Sequence, residues 1–139
     1  MPATTFTINK ILNYNFGKTA YDPEDTIYFG LSTTLVTAAS TGASVAEPAT
    51  ADGYAREGYD NSAATGEWTT STVGALSNTA DVVFDISTDN WGEIVSVFIS
   101  NSGTRGAGDI LWYYTLNPSF PVVNNTVVTF PIGTIFVAM

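Results

Sequence analysis

Short runs of period-two alternation, separated by turn signals, dominate this chain from residue 26 to its end. In TIYFGLSTT, Ile27, Phe29 and Leu31 alternate with Tyr28, Gly30 and Ser32. Successive side chains of a strand point to opposite faces, so the first set is expected on one buried face. Gly30 inside that run suggests a bulge or a close neighbouring backbone. ADVVFDIS places Val82, Phe84 and Ile86 on one face in the same way. WGEIVSVFIS sets Val95, Val97 and Ile99 against Ile94 and Phe98, and ILWYYTL sets Ile110, Trp112 and Tyr114 against Leu111 and Tyr113. Thr88-Asp89-Asn90 and Asn117-Pro118 read as turns, residues 101–109 (NSGTRGAGD) as a hairpin loop, and TVVTF and TIFVAM as two last strands around Pro131-Ile132-Gly133. Many short strands with turn signals between them predict an all-β fold: a single-domain antiparallel β-sandwich, jelly-roll-like, with a short N-terminal helix or arm. Strand content above about a third is expected, against the usual ~20–25%.

The N-terminal stretch has a different period. In residues 6–16, FTINKILNYNF, Ile8, Ile11, Leu12 and Phe16 follow helical spacing, with Thr7 as the expected cap and Gly17 as the expected stop. The polar TAYDPEDT follows. Residues 1–25 are therefore expected to form a helix or arm with its linker, and residues 26–139 the β-sandwich domain. Lys10 and Lys18 hold two of the four cations, and with Ile8, Ile11, Leu12 and Phe16 they make this segment a candidate docking arm. Residues 37–53 are small, polar and Gly/Pro-bearing, and read as a long loop.

Charge narrows the partners. The net charge is −9, and Lys10, Lys18, Arg56 and Arg105 are the only basic side chains. Four scattered cations on an acidic chain cannot form a phosphate-binding footprint, and an anionic membrane surface would repel the chain. Neither nucleic acid nor membrane is expected as a partner. Charged residues make up only 12%, about half the usual share, so Thr, Ser, Asn and Gly must cover much of the surface. Such a surface packs against neighbours with few ions to desolvate. The opening MPATTFTINK has neither the basic nor the apolar region of a secretion signal.

Catalytic chemistry finds little support. The chain has no Cys and no His, which removes the usual zinc ligands and the commonest general base. Asp85, Asp89 and Glu93 are the candidate carboxylates for glycoside hydrolysis, with Trp91 and Trp112 as candidate subsites, but residues of these types at strand ends are ordinarily turn formers and core. Neither Asp22, Glu24 and Asp25 nor Asp85, Asp89 and Asn90 has the spacing of a calcium loop. SGTRGAG lacks the ending of a P-loop and precedes a strand. No cofactor, no metal and no enzymatic activity are expected. Glu47 and Arg56 bracket a Gly-containing loop: they can pair across it, or Arg56 can stack and lie inside.

The ordered landmarks ILNYNFGKT, TIYFGLSTT, EPATADGYAREG, the Trp91-Gly92 pair in NTADVVFDISTDNWGEIVSVFISN, GDILWYYTL and TVVTFPIGTIFVAM span residues 8–139. Together they resemble a small tailed-bacteriophage virion protein family, of tail-fibre-like or capsid-decoration proteins. The residues that carry the likeness are Gly30, Glu47, Tyr54, Arg56, Trp91 and Gly92. Thr-Arg-Gly-Ala-Gly departs from the plainer Gly-rich hairpin expected there. The resemblance implies a virion structural protein without catalytic residues. The first expectation is a capsid decoration or cement protein that binds and stabilises the major capsid protein shell. The alternative is a tail- or fibre-associated structural or host-adhesion protein. Either implies other virion proteins as partners, location in the virion, and a homo-oligomer, with a trimer as the expected state.

Overall fold

The computed structural model describes residues 1–139. Helix α1 spans Thr5–Asn15, and eight strands follow: β1 (Thr26–Ser32), β2 (Glu57–Asp60), β3 (Ala75–Ser77), β4 (Val82–Val83), β5 (Gly92–Ser100), β6 (Ile110–Val122), β7 (Thr129–Phe130) and β8 (Phe136–Ala138). About 35% of the residues lie in strands or isolated strand-like bridges. All strand pairing is antiparallel.

The strands form one four-stranded sheet in the order β2-β1-β5-β6 and two ribbons, β3-β8 and β4-β7. One face of the sheet presents Ile27, Phe29 and Leu31 from β1 with Val97 and Ile99 from β5. Val82 and Val137 from the ribbons and Phe84, Val128 and Ile135 flanking them complete that core. The second layer is therefore two ribbons of two or three paired residues each, and the strand order is not that of a jelly roll. Regular pairing in β4 stops at Val83. The chain then bends, Phe84 stays buried, and Ile86 turns out to solvent instead of continuing the Val82–Phe84 face.

Two irregularities between β5 and β6 break the simple alternation. A register shift between Ile94 and Ser96 lets Ile94 share the main core with Val97 and Ile99, while Val95 is only half-buried. A second shift between Ile99 and Ser100 leaves Leu111 as an extra residue on β6. Leu111 and Trp112 then pack on the main core, whereas Ile110 joins Phe98 and Val36 on the other face. A bulge re-aims side chains in this way. Asn117-Pro118, expected as a turn, lies inside β6, in the stretch that bulges out between Thr115 and Phe120.

The helix begins two residues before the expected cap. Thr4, not Thr7, is the N-cap, accepting from the Thr7 amide at 3.4 Å. Thr7 lies within the helix and donates its hydroxyl to the Leu111 carbonyl at 2.8 Å. Thr4 also bonds the β6 edge through its own amide, which donates to the Leu111 carbonyl, while Tyr113 donates to the Pro2 carbonyl. The first residues thus cover an exposed sheet edge with an extra strand-like pairing at Ala3 and Trp112. Gly17 ends the helix as expected, at φ 65°, where a side chain is disfavoured.

Gly30 is not a bulge. It pairs with Phe98 across the sheet, and a Cβ placed there would sit 2.2 Å from the Phe98 ring. The glycine makes room for that ring to lie flat over the sheet. Gly30→Val is expected to cost about 1–3 kcal/mol by overpacking. Combined with Phe98→Leu it should cost less than the sum of the two single changes. Urea denaturation of the four proteins in the cycle checks this, and strict additivity would contradict it.

Candidate functional site

The long loop before β2 crosses the end of the sheet, and there the rare charges meet. Both Glu47 and Arg56 are buried, and they form the chain's one salt bridge, at 2.8 Å. The contact is bidentate: Arg56 Nε donates to Glu47 Oε1 at 2.9 Å and Nη2 to Oε2 at 2.8 Å. The Tyr54 hydroxyl donates to Oε1 at 2.7 Å, and the Gly106 amide to Oε2 at 2.9 Å. Arg56 Nη1 reaches Ser100 Oγ and the carbonyls of Ser102 and Ala107. Its guanidinium lies 5.2 Å from the centre of the Phe98 ring, the ring that covers Gly30. Arg56 therefore both pairs with Glu47 and stacks, on Phe98.

Tyr54 joins this polar cluster to the main core. Its ring stacks on Phe84 and meets Trp91 edge-on at 5.4 Å. Its oxygen accepts from the Leu31 amide at 2.9 Å. β2 pairs with β1 only as far as Phe29, so the phenol takes over where that strand ends. Trp91 is buried and donates its indole N–H to the Asp52 carbonyl at 2.8 Å, and Gly92 follows at φ 86°. Of the six residues that carry the family likeness, five thus meet in one network and Gly92 provides the turn beside it.

Burial pushes the Glu47 carboxyl up, but the Arg56 hydrogen bonds, the Gly106 amide, the Tyr54 hydroxyl and the Arg56 charge outweigh it, and its pKa lies below the usual value. Burial and then the Glu47 charge push the Tyr54 phenol far up. The carboxylate is held ionised with each oxygen accepting two bonds, so it has neither a proton to donate nor a free lone pair for substrate. The chemistry of this cluster is that of a clamp.

Arg105 and Gly106, which depart from the family's plainer hairpin, close the clamp from the other side. Arg105 donates to the carbonyls of Pro48 and Glu47 at 2.6 and 2.7 Å. Residues 37–53 are tied down as well: Thr41 bridges Asp109, and a Cβ on Gly42 would collide with the Ala107 carbonyl. The signal for Arg105 was available in the scarcity of cations. Phe98 and Ser100 carried none.

The remaining candidates do not converge. Asp85 and Asp89 are exposed; Asp89 accepts from the Asn90 amide as a turn residue does, and Glu93 accepts from the Ser119 hydroxyl. No three acidic side chains meet in a group suited to a metal ion. No helix is long and apolar enough to cross a membrane.

On the candidate docking arm, Ile8, Leu12 and Phe16 are 42%, 49% and 74% exposed. Their spacing of four puts them in one row on the outer side of α1. Ile11 and Lys10 are half-buried, with the Lys10 ammonium over the Phe6 ring, and Lys18 is exposed. The segment is thus fastened to its own sheet along one side and open along the other.

Residues 2–138 match the family described as podophage GP4 fiber I protein gp80. The chain belongs to this family. The gp80 fibre family is one of phage virion structural proteins, and membership implies association with other virion proteins. Its description names a fibre, which favours the fibre alternative over capsid decoration, the first expectation from sequence. No curated protein matches the chain.

Leaving one member of a buried ion pair without its partner costs about 3–5 kcal/mol. Glu47→Gln and Arg56→Met are each expected to destabilise by that order in urea at neutral pH. Because the folded-state pKa of Glu47 is depressed, its contribution is fully present above the unfolded value, about 4.3, and is lost as pH falls through the folded value. The stability gap between the native protein and Glu47→Gln should therefore narrow below about pH 4. A gap that stays constant into acid would contradict the clamp.

Proposed function

We propose that this chain is a structural component of a phage fibre assembly, fixed to a neighbouring virion protein by the outer row of α1. The observation that carries the reading is that row: Ile8, Leu12 and Phe16 stand exposed on a helix already held in place by Thr4 and Thr7. Ordering a free arm would cost roughly 1–2 kcal/mol per residue. Here folding has already ordered it, so docking adds burial of three apolar side chains worth up to about 1.5–3 kcal/mol each. The family description supports the fibre in preference to the capsid surface. The low charge of the surface favours broad contact with protein. A homo-oligomer, with three copies as the first choice, accounts for the further exposed apolar side chains Tyr114 and Phe136, which line one hollow beside Met1.

Three measurements test this. Quantitative mass spectrometry of purified virions should find a handful of copies per particle; hundreds would return the protein to the capsid shell. The triple change Ile8→Ser, Leu12→Ser, Phe16→Ser should keep the far-UV CD spectrum and lose incorporation into virions. Unchanged incorporation of a folded triple variant would overturn the docking helix. Light scattering of the isolated protein should give an oligomer, and a monomer mass in solution and in subassemblies would count against self-association.

A further inference from the structure

Two hollows adjoin on the side of the sheet between the linker after α1 and the β3-β8 ribbon. They measure about 350 and 320 Å³ and share Tyr21, Ile27, Asn61 and Leu111, so they form one cleft. Each alone is within the size of small-molecule sites, roughly 300–1,000 Å³. The two ends differ in chemistry. The first is lined by Trp68, Trp112 and Tyr21 over an aliphatic floor, with Asn61 and Ser62 at the rim, and none of its 13 lining residues is charged. The second carries the carboxylates of Asp22, Glu24 and Asp109 with Asn101 and Lys10. Asp22 and Glu24 spend no side-chain oxygen on a hydrogen bond or ion pair within the chain, and Asn61 donates to the Glu24 carbonyl while keeping its own side-chain oxygen free.

We propose that this cleft binds a neutral oligosaccharide of about two sugar rings, stacked on the aromatic end and hydrogen-bonded along the acidic end. A pyranose ring has an apolar C–H face that packs on aromatic rings, and hydroxyls that donate to carboxylate and amide oxygens. The aromatic hollow supplies the first, and Asp22, Glu24 and Asn61 supply the second. Three carboxylates on a chain of net charge −9 repel an anionic glycan. The uncharged aromatic end gives a lysine-rich peptide nothing to pair with over half the cleft. This reading is independent of the docking helix: it is measured on the isolated protein, whereas docking is measured on virions.

A broad array of neutral, anionic and amino-sugar glycans, followed by ¹H–¹⁵N NMR titration with the neutral glycans retained, tests it. Neutral glycans should be retained, and they should shift the Trp112 indole and Asn61 side-chain amide signals while leaving signals near Asp89, which lines neither hollow, unmoved. Asp22→Asn, at an exposed position, should weaken binding several-fold, and Trp112→Leu by roughly tenfold or more, with folding checked by the dispersion of the amide spectrum. Retention of no neutral glycan overturns the proposal. So does a preference for anionic glycans, a shift pattern away from the cleft, or unchanged affinity in both variants.

Discussion

The buried pair of Glu47 and Arg56 organises one whole end of this molecule. Removing two ions from water costs several kcal/mol each, and mutual attraction offsets that only when the remaining lone pairs and N–H groups are also matched. Here they are: the carboxylate accepts from Arg56, Tyr54 and Gly106, and the guanidinium spends its other donors on Ser100, Ser102 and Ala107. The partners come from the long loop before β2, from the end of β5 and from the hairpin before β6. The loop and the hairpin, which have few apolar side chains of their own, are thus held to the end of β5 by polar contacts that lose their value if any one segment moves. The aromatic layer behind the pair depends on the same geometry, because Phe98 lies under Arg56 and Tyr54 carries the network into the core beside Trp91 and Phe84.

The other end is built differently. A single four-stranded sheet covered by two short ribbons has too little second layer to enclose every apolar side chain. The N-terminal residues cover part of the β6 edge, and Pro118 and Pro121 stand on the uncovered remainder, where an incoming strand would need donors that proline lacks. What stays outside is a row on α1 and scattered aromatics along β6 and β8. A lone protein gains nothing from these positions. For a member of a fibre family, they are where neighbouring chains can add the burial that the fold leaves undone.

Much of the fold was legible locally. Ile27, Phe29 and Leu31 share a face because the period of a strand is two, and Gly17 stops the helix because only glycine takes φ 65° there without strain. The errors have physical causes. Thr7 has the chemistry of a cap, but Thr4 gained that place because its hydroxyl and amide also bond the β6 edge, more than 100 residues away. Ile86 follows the alternation of Val82 and Phe84 on paper, yet it loses the core face where ladder pairing ends. Asn117-Pro118 has turn chemistry and was carried inside a bulged strand by the pairing on either side of it.

The linear sequence alone determined the all-β class, the different, helical spacing of the N-terminal apolar residues, the lack of a histidine base and the lack of a cationic footprint. Those follow from composition and from neighbours two to four positions apart, which the chain carries wherever it folds. Tertiary structure decided whether Glu47 and Arg56 were a weak surface pair or a buried clamp, that Arg56 both pairs with Glu47 and stacks on Phe98, and that Tyr21, Trp68 and Trp112 share one cleft. Each of these depends on segments tens of residues apart meeting at a bulge or a hairpin, and the dielectric around a charge is set by what has closed over it.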